Sequence, residues 1–206
     1  AKTLSANLRL RCYQLYCGWN ASAGTEFTAI LDAANLSYHA PKGADYRDYF
    51  LSVYTPQRAA QVILTGDKGM MGLSDEMART KFGDPFEHQD ADYIESPYSK
   101  RSFQDYQDNI YSIKNTLYGV RGTETISTPA QNSIMNFLKN NNYPKYNELN
   151  NALNEAIAAL ETAKKSGVAF IDNPGHAQVK TCIEKVDALN EALNTAGTWI
   201  NQQTDK

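Results

Sequence analysis

The sequence is poor in the residues from which catalytic and metal sites are most often built. Only three of its 206 residues are histidine and only three are cysteine. No HExxH or other paired histidine spacing occurs, and there is no CxxC pair. The nucleophile, phosphate-loop and dinucleotide motifs GxSxG, GxxxxGK[ST] and GxGxxG are missing as well. The sequence therefore predicts no catalytic residue and no metal ligand within this chain.

One histidine has acidic neighbours, which leaves two interpretations open. His88 lies in the segment "FEHQDADYIE", close to Glu87, Asp90 and Asp92. Carboxylates and imidazole together form a ligand set for divalent cations. Such a group is more often a solvated acidic loop, and we favour that interpretation. His176, in "NPGH", is expected to be a solvated residue in the first turn of a helix.

The three cysteines do not define a disulfide framework. Cys12 and Cys17 are five residues apart on a predicted helix, so their side chains point to different sides and should not bridge. A long-range pair with Cys182 would leave one thiol over. We favour three free, mostly buried thiols, which do not indicate a redox compartment.

Charge and hydropathy argue against two classes of partner. The formal net charge is −3 and the isoelectric point is about 5.6, whereas nucleic-acid binding needs a basic face. No uninterrupted apolar run approaches the roughly 20 residues that a membrane helix requires. We therefore expect no nucleic-acid partner and no transmembrane span.

The chain begins inside a pattern that is typical of a helix. Leu4, Leu8, Leu15 and Trp19 have helical spacing and predict a first helix over residues 3–19. The first residue is Ala1 rather than methionine. We expect the chain to be a processed product or a fragment whose targeting signal precedes Ala1.

The patterns of residues 1–54 and 55–206 differ. After the first helix, residues 20–54 are rich in Gly, Pro, Asp and Tyr, which predicts a loop-rich segment with one helical piece at "TEFTAILDAAN". The alternating run "YFLSVY" would have no partner strand and is assigned to the loop. From residue 55 onward, helical stripes recur and predict a helical bundle domain over 55–206.

Turn and cap residues divide the bundle domain into helices. Helix starts are predicted at 55–56 and 128–129, both Thr-Pro, and at 173–174, Asn-Pro. Glycines at 66, 69 and 72 indicate a local break, the alternative being a smooth face that another backbone approaches. The segment "FGDPFEHQDADYIESPYS" is predicted to be a connector. Because no segment shows sustained strand alternation, the predicted fold class is all-α, an up-and-down helical bundle with a loop-rich insert.

The helix predicted from Ser102 to Gly119 has an unusual polar face. Ser102 would cap this helix, with Asp105 at the capping-box position. Opposite the apolar stripe lie short polar side chains, which are mediocre helix formers: Asp105, Asn109, Ser112 and Asn115. This face is either solvated or a hydrogen-bonding surface, and the spacing alone leaves both open.

Several motifs resemble those of imelysin-like proteins, bacterial envelope proteins classed as the imelysin peptidase family. They are a Gly-Asp-Pro step at 83–85, a Ser-Pro-Tyr-Ser turn at 96–99, an Asp-x-x-x-Asn-Ile pattern at 105–110, and Tyr-Gly at 118–119. They occur in the family's order, and the resemblance covers about residues 55–202. It implies an all-α fold of two packed four-helix units, of which this chain would be the second half.

The resemblance also implies a location and a role. The location is the periplasm or the outer membrane, to which the protein would be attached as a lipoprotein. The role is the binding of iron or haem, or of an uptake partner in the envelope. Family members carry a Gly-x-His-x-x-Glu motif, once interpreted as a metallopeptidase signature, and this sequence lacks it. We expect that motif on an N-terminal unit preceding the chain, so that iron or another divalent metal would be a cofactor of the complete protein only.

Three functional hypotheses follow. The first is a non-catalytic binding protein for iron or haem uptake. The second is a metallopeptidase whose metal motif lies outside this chain, and the third is a structural helical module. By resemblance, seven residues are expected to line a cleft between this chain and the missing N-terminal unit. They are Ser96, Tyr98, Ser99, Asp105, Asn109 and Ser112, together with Glu76 from the preceding helix.

Overall fold

The computed structural model describes residues 2–40, 45–122 and 124–203. Within these ranges every regular element is a helix, which confirms the all-α prediction. Residue contacts divide the chain into two compact units, the first ending at Ala59 and the second beginning at Ala60. In the described part of the chain, no helix is both long enough and apolar enough to cross a bilayer.

The first unit consists of α1 (Lys2–Trp19), α2 (Thr25–Ala33) and α3 (Tyr46–Val53). Helix α1 contacts both of the others. The prediction that residues 20–54 are mostly loop is wrong in one place, because "YFLSVY" lies largely in α3. Asp45 caps this helix by accepting a 2.7 Å hydrogen bond from the amide of Asp48. The cap favours a helix here, because the alternation of apolar and polar residues is too short for the segment to form a stable sheet.

The second unit contains the remaining helices, except for residues 56–59 at the start of the first of them. They are α4 (Pro56–Thr65), α5 (Met70–Glu76), a π-helix (Met77–Gly83), α6 (Asp84–His88), a 3₁₀ turn (Ala91–Tyr93), α7 (Ser102–Tyr118), α8 (Ile134–Asn140), α9 (Tyr146–Lys165), a second 3₁₀ turn (Phe170–Asp172) and α10 (Ala177–Asn201). Helix α10 packs against α9, α5 and the π-helix, and α9 packs against α7 and α8.

The core of this unit is built from the predicted helical stripes. Helix α10 buries its stripe completely: Val179, Cys182, Val186, Leu189, Leu193, Ala196 and Ile200. Helix α7 contributes Tyr106, Ile110, Ile113 and Leu117 in the same way. Burial of such side chains is the main stabilising term in a helical bundle, at about 25 cal/mol for each Å² of apolar surface. Cys182 belongs to this core, Cys17 is buried in the first unit and Cys12 is exposed, and all three are free.

Two predicted helix starts are several residues too early. Helix α8 begins at Ile134 rather than at 128–129, because Ser133 caps it by accepting a hydrogen bond from the amide of Asn136. Helix α10 begins at Ala177, and His176, predicted within its first turn, instead caps it through Nδ1. In both cases the Pro-containing step precedes a turn, and the side-chain cap fixes the start.

The segment predicted as a connector after Lys81 is largely helical. The π-helix continues directly from α5 and is followed by α6 and a 3₁₀ turn, so the irregular residues are those at 89–90 and around the Ser-Pro-Tyr-Ser turn. The glycine break before α5 is confirmed, since α4 ends at Thr65 and α5 begins at Met70. Close backbone approach is present there too: a Cβ on Gly69 would lie 2.5 Å from the carbonyl oxygen of Ile63.

Candidate functional site

The turn before α7 folds back onto the first turn of that helix. The predicted capping box is wrong, because Arg101 occupies the cap position and no side chain caps the helix there. Ser102 lies inside the helix and its hydroxyl donates a 2.7 Å hydrogen bond to the carbonyl oxygen of Glu95. Asp105 accepts a 2.6 Å hydrogen bond from the hydroxyl of Ser96. Two predicted site residues, Ser96 and Asp105, are therefore brought together.

Ser96 is held in an uncommon backbone conformation. Its φ is 58°, in the left-handed region that residues other than glycine rarely adopt. The hydrogen bond to Asp105 helps to offset the local cost of this conformation, which is about 1 kcal/mol or more. The turn is thus fixed by the pair that the sequence predicted as part of a site.

A lysine of the π-helix lies beside this turn. The Lys81 ammonium is 3.2 Å from the Glu95 carboxylate and 3.8 Å from that of Glu76, and its side chain is only 13% exposed. In a π-helix, residues five apart come onto the same face, whereas in an α-helix they would not. The wide turn therefore lets Lys81 reach back to Glu76.

A buried tyrosine completes this polar cluster. The hydroxyl of Tyr106 donates a hydrogen bond of 3.4 Å to the carbonyl oxygen of Lys81. Burial first, and the nearby carboxylate of Glu95 second, hold the pKa of Tyr106 far above its ordinary value. The phenol therefore stays protonated and acts as a hydrogen-bond donor at every physiological pH.

A groove of about 520 Å³ lies between α7 and the end of α4. Its wall is apolar and consists of Val62, Ile63, Met70, Leu73 and Ile113. Its rim is polar and consists of Asp67, Lys68, Glu76, Ser112 and Thr116. The glycines at 66, 69 and 72 also line it, so backbone as well as side chains faces the opening. A concave surface of this size with an apolar wall and a few polar groups suits a small ligand.

Five of the seven predicted site residues lie at two places or between them. Glu76 and Ser112 line the groove, and Ser96 and Asp105 form the turn described above. Asn109 is half-buried on α7 between these two places.

The other two predicted residues lie outside. Tyr98 is fully exposed, and Ser99 is exposed with its hydroxyl bonded to the carbonyl oxygen of Ser96. The structure therefore gathers only part of the predicted set.

Sequence reasoning missed Lys81 and the apolar wall of the groove. An α-helical pattern does not predict the contact between Lys81 and Glu76, because residues five apart lie on different faces of an α-helix. Only the π-helix brings the two side chains together. The three glycines gave a weak indication of the wall, but in a sequence pattern they predict a break between helices. Their spacing also permits the close approach that shapes the groove.

These residues do not offer a ligand set for a metal ion. Glu76 and Glu95 share a single cation, Lys81, at 3.8 and 3.2 Å, and among the described residues no three His, Cys, Asp or Glu side chains are grouped as metal ligands would be. His88 stacks on the ring of Tyr93, with centroids 5.1 Å apart. The groove can enclose the apolar part of a ligand and present carboxylates and hydroxyls to the ligand's polar groups.

Comparison with known proteins identifies the family. The family described as Imelysin matches residues 5–196. The chain belongs to the imelysin family. The match includes the first unit, so the resemblance is not confined to residues 55–202 as the motifs predicted.

Two crystal structures have the same fold. One is a protein described as an iron-regulated protein A precursor from Parabacteroides distasonis, with 26% identity and a TM-score of 0.61 over 69% of this chain. The other is an imelysin peptidase from Bacteroides ovatus, with 24% identity and a TM-score of 0.67 over 85% of this chain. The imelysin chain spans 41% and 50% of the lengths of these two proteins. The search of curated proteins found no match.

Proposed function

We propose that this imelysin-family chain is part of a cell-envelope binding protein that acts in iron or haem uptake and does not itself hydrolyse peptides. The location we propose is the periplasm or the outer membrane, to which a lipid anchor would attach the protein. The similarity to a protein described as iron-regulated supports the role. The observation that carries the proposal is the groove beside α7, which has an apolar wall and a carboxylate rim.

The chemistry of the groove favours a carrier of iron over the bare ion. Bare iron needs several convergent ligands. Of the carboxylates at the groove and the turn, Glu76 and Glu95 contact Lys81, and Asp105 accepts a hydrogen bond from Ser96. A haem or an organic iron chelate has an apolar body, which the wall formed by Ile63, Leu73 and Ile113 can cover. The hydroxyls of Ser112 and Thr116 lie at the rim.

A second part of the proposal concerns the polar face of α7. We propose that the Ser96–Asp105 pair and Asn109 face a further helical unit of the complete protein. The two solved relatives are about twice as long as the part that this chain covers. Short side chains held by local hydrogen bonds are suited to such a contact, because they lose little conformational entropy when they are covered.

Binding to haemin and to ferric citrate, with the purified full-length protein, tests this function. We expect saturable binding, and Glu76→Gln together with Ser112→Ala should weaken it about tenfold, equivalent to the loss of one or two hydrogen bonds. Glu184→Gln is the matched control, since Glu184 is an exposed acid on α10 away from the groove.

Two results would contradict the proposal. Unchanged binding in the Glu76 and Ser112 variants would place the ligand elsewhere. The second result would be proteolysis that a chelator abolishes, measured in a peptidase assay with and without chelator. It would assign the complete protein to the metallopeptidases instead.

A further inference from the structure

The rim of the groove beside α7 is rich in hydrogen-bond acceptors. Asp67, in the turn between α4 and α5, and Glu76, the last residue of α5, each place a carboxylate there. The Ser112 hydroxyl donates its hydrogen to the carbonyl oxygen of Asn109 at 2.7 Å, and the Thr116 hydroxyl donates to that of Ser112 at 2.9 Å. Because both hydroxyls use their only hydrogen within α7, they offer a ligand just the lone pairs of their oxygens.

The cations near the rim leave this character unchanged. Lys68 is exposed, and an exposed ammonium keeps a strong hydration shell. Lys81 lies 3.2 Å from the Glu95 carboxylate but 3.8 Å from that of Glu76. The longer distance exceeds that of a hydrogen bond, so the Glu76 carboxylate keeps its acceptor sites. A rim of this kind favours a ligand whose polar groups are donors, above all an ammonium group.

The groove offers iron itself no complete set of ligands. Its described lining residues include no histidine, cysteine or tyrosine, and no trio of ligating side chains occurs in the described part of the chain. Iron bound here must therefore arrive inside a chelate that fills its coordination sphere. The groove then contacts only the outer surface of that chelate, through the apolar side chains of Ile63, Leu73 and Ile113 and through the acceptors of the rim.

We propose that the ligand of this groove is a ferric chelate with an apolar body and an ammonium arm, of the linear hydroxamate class. This inference rests on the proposed function and specifies which carrier of iron the groove selects. Three hydroxamate anions balance the charge of ferric iron, so the core of such a chelate is neutral and the ammonium supplies its net positive charge. The methylene chains pack on Val62, Ile63 and Leu73, and the ammonium donates hydrogen bonds to the carboxylates of Asp67 and Glu76.

Ferrioxamine B and its N-acetylated form are the probes for this inference. Both have the same iron core and the same chain, but only ferrioxamine B carries an ammonium group. Isothermal titration calorimetry with the purified full-length protein measures the two affinities at about 0.15 M salt, where exposed charges more than about 8 Å apart are largely screened. We expect ferrioxamine B to bind about tenfold more tightly, which corresponds to one charge-assisted hydrogen bond.

The two rim carboxylates should account for this preference. Asp67→Asn together with Glu76→Gln should bring the ratio of the two affinities close to one, because the amides keep the size of the side chains and remove their charge. The ratio cancels any effect of the variants that is common to both probes. Circular dichroism shows that each variant is folded.

Asp75→Asn is the matched control. Asp75 precedes Glu76 on the same helix and is also exposed, but it lies outside the groove, with its carboxylate 3.8 Å from Arg79. This variant should leave the ratio of the two affinities unchanged. An equal loss of preference in Asp75→Asn would reduce the effect to general charge attraction and overturn the inference.

Further outcomes separate this inference from the proposed function. Equal affinity for ferrioxamine B and its acetylated form, or tighter binding of ferric citrate than of ferrioxamine B, would overturn the inference and leave the proposed function standing. Failure of haemin, ferric citrate and ferrioxamine B alike to bind would overturn the proposed function, and the inference with it.

Discussion

Glu161 on α9 contacts three donors, two from its own helix and one, Gln107, from α7. Its carboxylate is 2.7 Å from the ammonium of Lys164 and 3.0 Å from that of Lys165, and it accepts a 2.9 Å hydrogen bond from Gln107 of α7. The hydrogen bond from Lys164, followed by those from Gln107 and Lys165, lowers the pKa of Glu161 to about 2. Donors to the charged form always act in this direction.

This lowered pKa predicts how stability depends on pH. The stabilisation is fully present above the ordinary pKa of 4.5 and is lost as the pH falls from there towards about 2. Glu161→Gln should therefore lower the urea midpoint at pH 7 and flatten its dependence on pH below 4.5. Unfolding curves between pH 7 and pH 2.5 measure both effects. Glu184→Gln, with its exposed partner Lys180, is expected to leave the curve unchanged, and an equal flattening there would contradict this account.

Single residues could be predicted from the sequence where a local rule decides their role. The burial of the α10 stripe and the left-handed Gly119 that ends α7 follow from spacing and from the residue type. Ser102 and Asp105 were predicted as a mutual cap, yet each bonds to the preceding turn instead. A capping box and a folded-back turn use the same donors and acceptors, so the sequence alone cannot separate them.

At the scale of elements, the glycine segment joins α4 to α5 by direct backbone contact. The Cβ positions of Gly69 and Gly72 point at the carbonyl oxygens of Ile63 and Asp67, which belong to the main chain and cannot move aside as a side chain would. The three glycines therefore fix the angle between the two helices and, with it, one wall of the groove.

Gly72→Ala should disrupt this junction. An added methyl group against a backbone carbonyl should cost about 1–3 kcal/mol of unfolding free energy, the usual range for overpacking. The same change at Gly24 is the control, because the atoms nearest to its Cβ belong to the flexible side chain of Glu26. Chemical denaturation monitored by circular dichroism gives the comparison. Equal stability of the two variants would show that the junction relaxes without cost.

The π-helix is the element that sequence patterns are least able to predict. The apolar side chains within Met77–Gly83, those of Met77, Ala78 and Phe82, fit an α-helical stripe about equally well. The extra residue per turn becomes visible only in the pairing of Lys81 with Glu76 and Glu95, which tertiary packing imposes. The same limit explains why the sequence did not predict Lys81 as a member of this polar cluster.

For the whole molecule, the distribution of buried residues predicts where independent stability resides. Every member of the large buried cluster lies between Leu64 and Ile200. The first unit buries only Cys17, Leu31, Ala40 and Ala59 among its described apolar residues. Domains of about 60 residues are only marginally stable because they bury a small fraction of their surface, and four buried apolar residues are too small a core for independent folding.

A fragment of residues 55–206 should therefore fold without the first unit. It keeps the Thr55 hydroxyl that accepts a hydrogen bond from the amide of Arg58 at the start of α4, and it keeps the whole buried cluster. We expect a single cooperative urea transition with a midpoint close to that of the full chain, whereas residues 1–54 alone should show no cooperative transition. Near-ultraviolet circular dichroism separates a packed core from a loose helical state, because only fixed aromatic side chains give a signal. A fragment 55–206 that is helical but gives no such signal would mean that the first unit is required to pack the second.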